Sequence, residues 1–302
     1  MPAHTQVHFL TKKNFAGILN QNPYIDKLWL LDEDLNQITK DLKKEGFDFV
    51  IDLHNNLRTR RIKWKLGVKS FTLNKINWKK FLMTRFKINV LPSRHIVDRE
   101  MDTVRHLGVF NDGLGLDYFY PESQTAIEAH FPELKSLRFV ALAVGGQHFT
   151  KRMPVSKLQS LIDGIQQKVV VLGGKEDAEV GEQLFKHAPD KVINLAGKSN
   201  LQQSAGIVNL AAAIITHDTG IMHIAAALKK PILAVWGNTI PEFGMYPYYG
   251  DTNVEFQNFE VQGLKCRPCS KIGFDHCPKG HFNCMQTQSV DAIAAVANKW
   301  SL

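Results

Sequence analysis

Residues 215–231 read ITHDTGIMHIAAALKKP, and a polar cluster there interrupts an otherwise apolar segment. Ile221, Ile224, Ala225 and Leu228 recur at the spacing of one helical face. Thr219 and His223 are four residues apart and share a different face. Helical side chains lean toward the N-terminus, so His223 leans back over the first turn. The amides of Thr219 and Gly220 are then unpaired donors at the positive end of a helix dipole, an arrangement that holds a phosphate or diphosphate. His223 and the Thr219 hydroxyl can add donors. Asp218 is by charge a poor neighbour for phosphate. It is left to N-cap the helix or to hold hydroxyls of a ribose or sugar. The plainer reading is that Asp218 or Thr219 is only an N-cap and His223 an ordinary surface residue.

The elements around this cluster explain why it sits where it does. In the second half, four apolar runs each end in a polar, glycine-containing turn. Arg138–Val144 runs into Gly145-Gly146 and Thr150-Lys151-Arg152. Val169–Leu172 runs into Gly173-Gly174-Lys175-Glu176-Asp177. Ala211–Thr216 runs into His217-Asp218-Thr219-Gly220, and Ile232–Trp236 into Gly237-Asn238-Thr239. Helical patterns over Val155–Gln167, Ala178–His187, Gln202–Asn209, Thr219–Leu228 and Ser289–Trp300 alternate with these strands and with Val192–Leu195. Continuous apolar strands alternating with helices predict a parallel sheet covered on both faces. In such sheets ligands bind beyond the carboxyl ends of the strands, where these turns lie.

The first half shows the same rhythm. Strands are expected at Gln6–Leu10, Lys27–Leu31, Phe47–Leu53 and Ser70–Leu73, with helices at Asn14–Leu19, Asp32–Lys44, Asn56–Leu66 and Val97–His106. With 302 residues, the chain is long enough for two domains. A looser stretch, Gly108–Ser136, separates the halves. The expected division is 1–132 and 133–302, two Rossmann-like α/β domains facing a cleft, with the last helix available to return to the first domain.

Charge is unevenly spread. From Leu53 to Val97 there is no acidic residue, while twelve lysines and arginines, among them Arg58, Arg60 and Arg61, are interleaved with Trp64, Phe71, Trp78, Phe81 and Phe86. The rest of the chain is net acidic, although the whole carries +8. Such a stretch attracts a phosphorylated substrate, an acidic lipid surface or nucleic acid. The alternative is a solvated face with its aromatics turned inward. No nucleic-acid recognition motif accompanies it, which argues against nucleic acid as the partner. No apolar run approaches the roughly 20 residues of a membrane span. MPAHTQVHFLTKK lacks the basic-then-apolar order of a secretory signal, so a cytoplasmic location is expected. Cys266, Cys269, Cys277 and Cys284 lie in one short segment. Their CxxC start admits zinc, but the later spacing is not a standard finger, leaving zinc, disulfides or reduced thiols in a structural loop.

The stretch ITHDTGIMHIAAALKKPILAVWGNTIPEFGMYPY resembles the ADP-heptose:lipopolysaccharide heptosyltransferases, glycosyltransferase family 9. The Asp-Thr-Gly-x-x-His helix start is that family's signature. FDFVIDLHNNLRTRR, GGQHFTKRMP, VVVLGGKEDAE and CRPCSKIGFDHCPKGHFNCM agree with it. The resemblance implies a GT-B-like architecture, with an acceptor domain followed by a donor domain. It implies inverting transfer of heptose from an ADP-sugar to the inner core of lipopolysaccharide, with no metal and no other cofactor. Lys151 matches the phosphate-binding lysine of the Thr-Lys-x-x-Pro turn, where Met153 replaces a frequent aromatic residue. Glu176 lies in the turn that meets the nucleotide ribose. Asp218, Thr219, Gly220 and His223 match the diphosphate and sugar site, with Asp218 and Lys151 as the catalytic pair. Gly146, Thr150 and Gly174 complete the implied donor-binding set, and His217 stands where the family often has asparagine. Arg58, Arg60 and Arg61 would face an anionic, Kdo-bearing lipid at the inner face of the membrane, which implies peripheral membrane contact.

Family members usually open with a first strand and a Gly-Asp loop carrying the aspartate proposed as general base. Nothing upstream of Gln6 matches them. The resemblance therefore implies an N-terminal domain lacking its first strand. The alternative expectation is a catalytically impaired nucleotide-sugar-binding relative, since loss of a positioned base costs about 10²–10⁴ in rate.

Overall fold

A computed structural model describes residues 5–121 and 123–301. Met1–His4 and Leu302, the outer ends of the two expected domains, lie outside the described residues, as do the first four positions of the stretch read for a secretory signal. The chain divides into two compact units, Met1–Asn77 with Arg94–Asp112, and Trp78–Ser93 with Gly113–Leu302.

The first unit runs β1 (His8–Lys12), α1 (Ala16–Leu19), β2 (Lys27–Leu31), α2 (Leu35–Lys44), β3 (Phe49–Asp52), α3 (Leu57–Leu66) and β4 (Lys69–Thr72). After α4 (Asn77–Phe86), α5 (Ile96–Met101) belongs to it again. The strands pair in parallel as β1 with β2 and β3 with β4, in two separate two-stranded sheets. Helix α2 begins at Leu35 rather than Asp32 because the Asp34 carboxylate takes the N-cap, accepting from the amides of Asn36 and Gln37. Asn56 caps α3 in a reciprocal box with Thr59. The buried Asp52 carboxylate, 2.7 Å from Lys63 Nζ, anchors α3 to the end of β3.

The second unit continues with α6 (Gln124–His130), β5 (Phe139–Ala143), α7 (Val155–Gly164), β6 (Lys168–Leu172), α8 (Ala178–His187), β7 (Val192–Asn194) and α9 (Leu201–Leu210). Then come β8 (Ala213–His217), α10 (Gly220–Ala227), β9 (Ile232–Trp236), β10 (Phe256–Glu260), α11 (Asn283–Gln286) and α12 (Val290–Trp300). Six parallel strands lie in the order β7-β6-β5-β8-β9-β10. The direction of winding reverses between β5 and β8, which places the ligand crevice beyond their carboxyl ends.

Strand residues alternate between two cores. Val140, Leu142, Val169, Val171, Ile215 and Leu233 face a layer built with α7, α8 and α12. Phe139, Ala141, Val170, Ile214, Ala234 and Trp236 face a layer that includes residues of α6, α9 and α10. This two-sided burial is why the central strands read as continuous apolar runs.

Two expected boundaries shift. Ile127 of α6 is fully buried in the second layer, close against Gly206 of α9, where a Cβ would come within 2.5 Å of it. The stretch 113–132 thus packs with the second unit, and the division expected at 132/133 falls inside that unit. Helix α12 also stays with this unit instead of returning to the first. Ile293 and Ala297 are fully buried in its core, and Asn298 bonds the backbone of Gly164 and Gln166.

Candidate functional site

The four turns that follow β5, β6, β8 and β9 are bonded to one another by side chains. Lys151, in the turn after β5, places Nζ 2.7 Å from Asp218 Oδ2 and donates to the Asp218 carbonyl at 3.1 Å. The ion pair therefore bridges the two strands between which the winding reverses. Thr239, in the turn after β9, donates its hydroxyl to the same carboxylate oxygen of Asp218 at 2.9 Å. Arg152 donates to the Gly146 carbonyl at 2.6 Å and lies 3.4 Å from Asp177. Asp177 in turn accepts the Gly174 amide at 2.9 Å, joining the first turn to the second. Burial pushes the Asp177 carboxyl above the usual carboxylate range, against the Gly174 bond and the Arg152 charge, which lower it.

His217 is the buried pin of this arrangement. Its Nε2 accepts the Met153 amide at 3.1 Å and its Nδ1 lies 3.3 Å from the Gly145 carbonyl. Accepting at Nε2 while donating at Nδ1 requires the neutral Nδ1-protonated tautomer. Burial favours the same state, lowering the imidazole pKa from 6.5 to about 4. The position whose role the sequence left open thus orients the turn that carries Lys151.

Asp218 does not N-cap the helix. The N-cap position of α10 is Thr219, and no side-chain cap bond closes the first turn. The end of α10 is thus open to an anion through its backbone amides. Gly220 is exposed, with nothing within 4 Å of where a Cβ would stand. A Cβ on Gly146 would lie 3.5 Å from the Thr219 methyl, so the first turn borders this end. His223, on the first turns of α10, is half-buried. Burial lowers its pKa, the Asp218 charge opposes this, and the Lys151 charge adds to it. A lysine, a helix end, a second donor and a paired carboxylate therefore share one crevice.

The remaining expected residues are placed differently. Glu176 is exposed in the 3-10 turn before α8. Thr150 is buried, and its hydroxyl both donates to the Phe274 carbonyl and accepts the Phe274 amide. That side chain clamps the cysteine segment instead of facing the crevice. Arg58, Arg60 and Arg61 are exposed on α3 in the first unit. Arg58 lines a depression with Lys12, Lys13, Asp32 and Glu33, while Arg61 donates to Asn36 at 2.9 Å. Of the twelve cations between residues 53 and 97, Lys79, Lys80, Arg85 and Lys87 belong to the second unit, so the basic stretch is divided.

The four cysteines are free thiols. Burial first, and neighbouring thiols second, push Cys269 up to about 11 and Cys284 up to about 12. Among the described residues, no group of three or more histidine, cysteine or carboxylate side chains is arranged to hold a metal ion. The segment instead forms a strap over the first and fourth turns. The Cys269 amide donates to the Asn238 carbonyl at 3.1 Å. Arg267 donates to the carbonyls of Gly237 at 2.5 Å, Thr239 at 2.8 Å and Val261 at 3.2 Å, and pairs with Glu260 at 2.9 Å. Arg267 and Thr239 were not singled out from sequence. The available signal was the polar turn Gly237-Asn238-Thr239 beside a cysteine segment that also contains an arginine.

Residues 35–272 match the family model described as glycosyltransferase family 9 (heptosyltransferase). A 133-residue segment is 32% identical to lipooligosaccharide heptosyltransferase 2 of Haemophilus influenzae, covering 42% of this chain and 38% of that protein. The chain thus spans about two fifths of that relative's length. A solved glycosyl transferase family 9 structure from Veillonella parvula superposes with a TM-score of 0.77 at 21% identity, over 99% of this chain and 89% of that one. The ADP-heptose lps heptosyltransferase II of Escherichia coli superposes with a TM-score of 0.65 at 16% identity, over 94% of this chain and 89% of that one. These likenesses establish a GT-B-like α/β fold. Among the described residues, no helix is long and apolar enough to cross a membrane.

Proposed function

The chain belongs to glycosyltransferase family 9, and from that membership we propose that it transfers a heptose from ADP-heptose to the inner core of lipopolysaccharide, on Kdo-lipid A or its heptosylated form. The observation that carries this reading is the Lys151–Asp218 pair, set across the β5/β8 crevice beside the uncapped end of α10. The likeness to the ADP-heptose lps heptosyltransferase II of Escherichia coli supports ADP-heptose as the donor.

In this reading the donor diphosphate lies on the first-turn amides of α10, with the Lys151 ammonium and the Thr219 hydroxyl as further donors. The acceptor hydroxyl attacks the anomeric carbon on the face opposite the diphosphate. The new C–O bond forms as the bond from the anomeric carbon to the β-phosphate oxygen breaks. The electron pair leaves with ADP, the hydroxyl proton passes to a base, and the anomeric configuration inverts. Charge grows on the departing phosphate, and Lys151 and the helix amides are pre-positioned to meet it. Because these groups supply positive charge themselves, we read the transfer as independent of metal. Asp218, held by Lys151 and Thr239, orients the lysine and faces the sugar hydroxyls. Neutral His223 donates to the diphosphate or the sugar.

Gly146 and Gly174 let the backbone approach the nucleotide, and Glu176 is assigned to its ribose. Arg58, Arg60 and Arg61 are assigned to the anionic acceptor, and the protein to the cytoplasm, in peripheral contact with the inner membrane surface. The test is an assay with ADP-heptose and heptose-free lipopolysaccharide core in the presence of EDTA. A product heavier by one heptose is expected; no transfer under any donor concentration would overturn the reading.

A further inference from the structure

Helix α4 presents three aromatic side chains to solvent. Trp78 is 69%, Phe81 45% and Phe86 57% exposed. They are contiguous: Trp78 stacks on Phe81 with ring centroids 5.5 Å apart, and Phe81 meets Phe86 edge-on at 5.9 Å. Ile88 and Val90, just beyond the helix, are also about half exposed, at 52% and 43%. Scattered apolar surface residues need no explanation, but a contiguous aromatic cluster marks a binding face. The helix also carries Lys79, Lys80 and Arg85 and no acidic residue.

The helix is fixed to the body of the second unit. Lys80 lies over the Phe243 ring at 5.5 Å. Lys87 turns inward, donating to the carbonyls of Thr84 at 2.8 Å, Pro268 at 2.6 Å and Cys266 at 3.2 Å. The same cysteine strap bonds the turn that carries Thr239, and Thr239 bonds Asp218. The exposed aromatics therefore ride on a helix tied through Lys80, Lys87 and the strap to the turn that carries Thr239.

We propose that the Trp78–Phe81–Phe86 face of α4 docks the protein on an anionic lipid bilayer, the aromatic rings entering the headgroup region while Lys79 and Arg85 meet lipid phosphates. This rests on the peripheral-membrane reading above and gives it an address. Aromatic rings settle at the membrane interface, and each cation near an anionic surface adds about 1 kcal/mol, or about fivefold in partitioning. A second copy of the chain is the poorer occupant. Two-fold pairing of this face would set the cations of one α4 against those of the other, with no acidic residue on the helix to offset them.

The test is co-sedimentation with vesicles of phosphatidylglycerol and phosphatidylethanolamine, and with vesicles of phosphatidylcholine alone. The intact chain is expected to bind the first at least about tenfold more strongly. Trp78→Ser/Phe81→Ser and Lys79→Glu/Arg85→Glu should each reduce that binding about tenfold or more, with ADP affinity unchanged. Brominated acyl chains should quench tryptophan emission in the native chain and in Trp64→Phe, but not in Trp78→Phe. Equal partitioning of native and variant chains, or a dimer that the same substitutions dissociate, overturns the proposal. ADP titration is read separately: vesicle binding without ADP binding would retain the docking face and sink the glycosyltransferase reading.

Discussion

Lys151 Nζ contacts both the carboxylate of Asp218, at 2.7 Å, and its backbone carbonyl, at 3.1 Å. One ammonium thus fixes the end of β8 to the turn after β5, while a third strand contributes through Thr239. The pair is mostly buried, with side-chain exposures of 14% and 11%, so it is weakly screened by salt and holds a defined geometry.

That geometry separates binding from turnover. In Asp218→Asn the amide oxygen still accepts from Thr239, but the negative charge beside the diphosphate is gone. ADP affinity should therefore hold or rise. Turnover should fall about 10- to 100-fold, because Lys151 loses the partner that aims it. Calorimetry alongside initial rates checks this; a loss of ADP affinity as large as the loss of turnover would show that the Asp218 charge supports nucleotide binding instead of opposing it.

Arg267 holds the strap to the fourth turn through the carbonyls of Gly237 and Thr239, and to the end of β10 through the Val261 carbonyl and Glu260. Its side chain is 7% exposed, so Arg267→Ala strands the Glu260 charge and three acceptors. A loss of about 3–5 kcal/mol in unfolding free energy is expected from urea titration. Arg267→Lys should recover only part, since an ammonium cannot reproduce the planar fork. A loss under about 1 kcal/mol in the alanine variant would mean the strap is held elsewhere.

The neutral His217 makes stability depend on pH. Its folded pKa, about 4, lies below its ordinary 6.5. Above 6.5 both folded and unfolded forms are neutral and the full contribution is present. As pH falls, the unfolded chain takes up a proton that the folded chain refuses. The contribution is lost between about 6.5 and about 4. His217→Asn, which cannot titrate, should have a flatter acid limb than the native chain over this window, by about 3 kcal/mol across its width. Urea midpoints at pH 7 and pH 5 measure the difference; parallel acid limbs would contradict it.

Each strand and helix expected in the first half has a counterpart in the first unit, and the elements hidden from sequence lie in the second unit. Its central strands are buried on both faces, so β5, β6, β8 and β9 read as unbroken apolar runs, and the turns after them were found with their polar residues. Strand β10 has no clear signal in sequence because FQNFE, at the sheet edge, has only two apolar residues, with no alternation, and only Phe259 is buried. Helix α4 was missed because its aromatics face solvent instead of forming a buried stripe. Helix α6 has few apolar residues to mark it in sequence, yet Ile127 sets it in the core, with Phe131 and Leu134 just beyond it. Within the site, Lys151, Asp218 and the α10 start were legible from type and spacing. That Asp218 pairs with Lys151 instead of capping α10 was not, because charge pairing across strands has no local signal. The inward turn of Thr150 and the reach of Arg267 depend on the strap, which joins residues more than a hundred positions apart.

The central claim is that Lys151 and the open end of α10 form the diphosphate site. Calorimetric titration of ADP into the native chain and into Lys151→Ala tests it most directly. A charge-assisted bond to phosphate is worth about 1.5–3 kcal/mol, so the variant should bind ADP about 10- to 100-fold more weakly while still unfolding in one cooperative transition, at lower stability because Asp218 loses its partner. An ADP affinity unchanged by Lys151→Ala would place the nucleotide elsewhere and contradict the account.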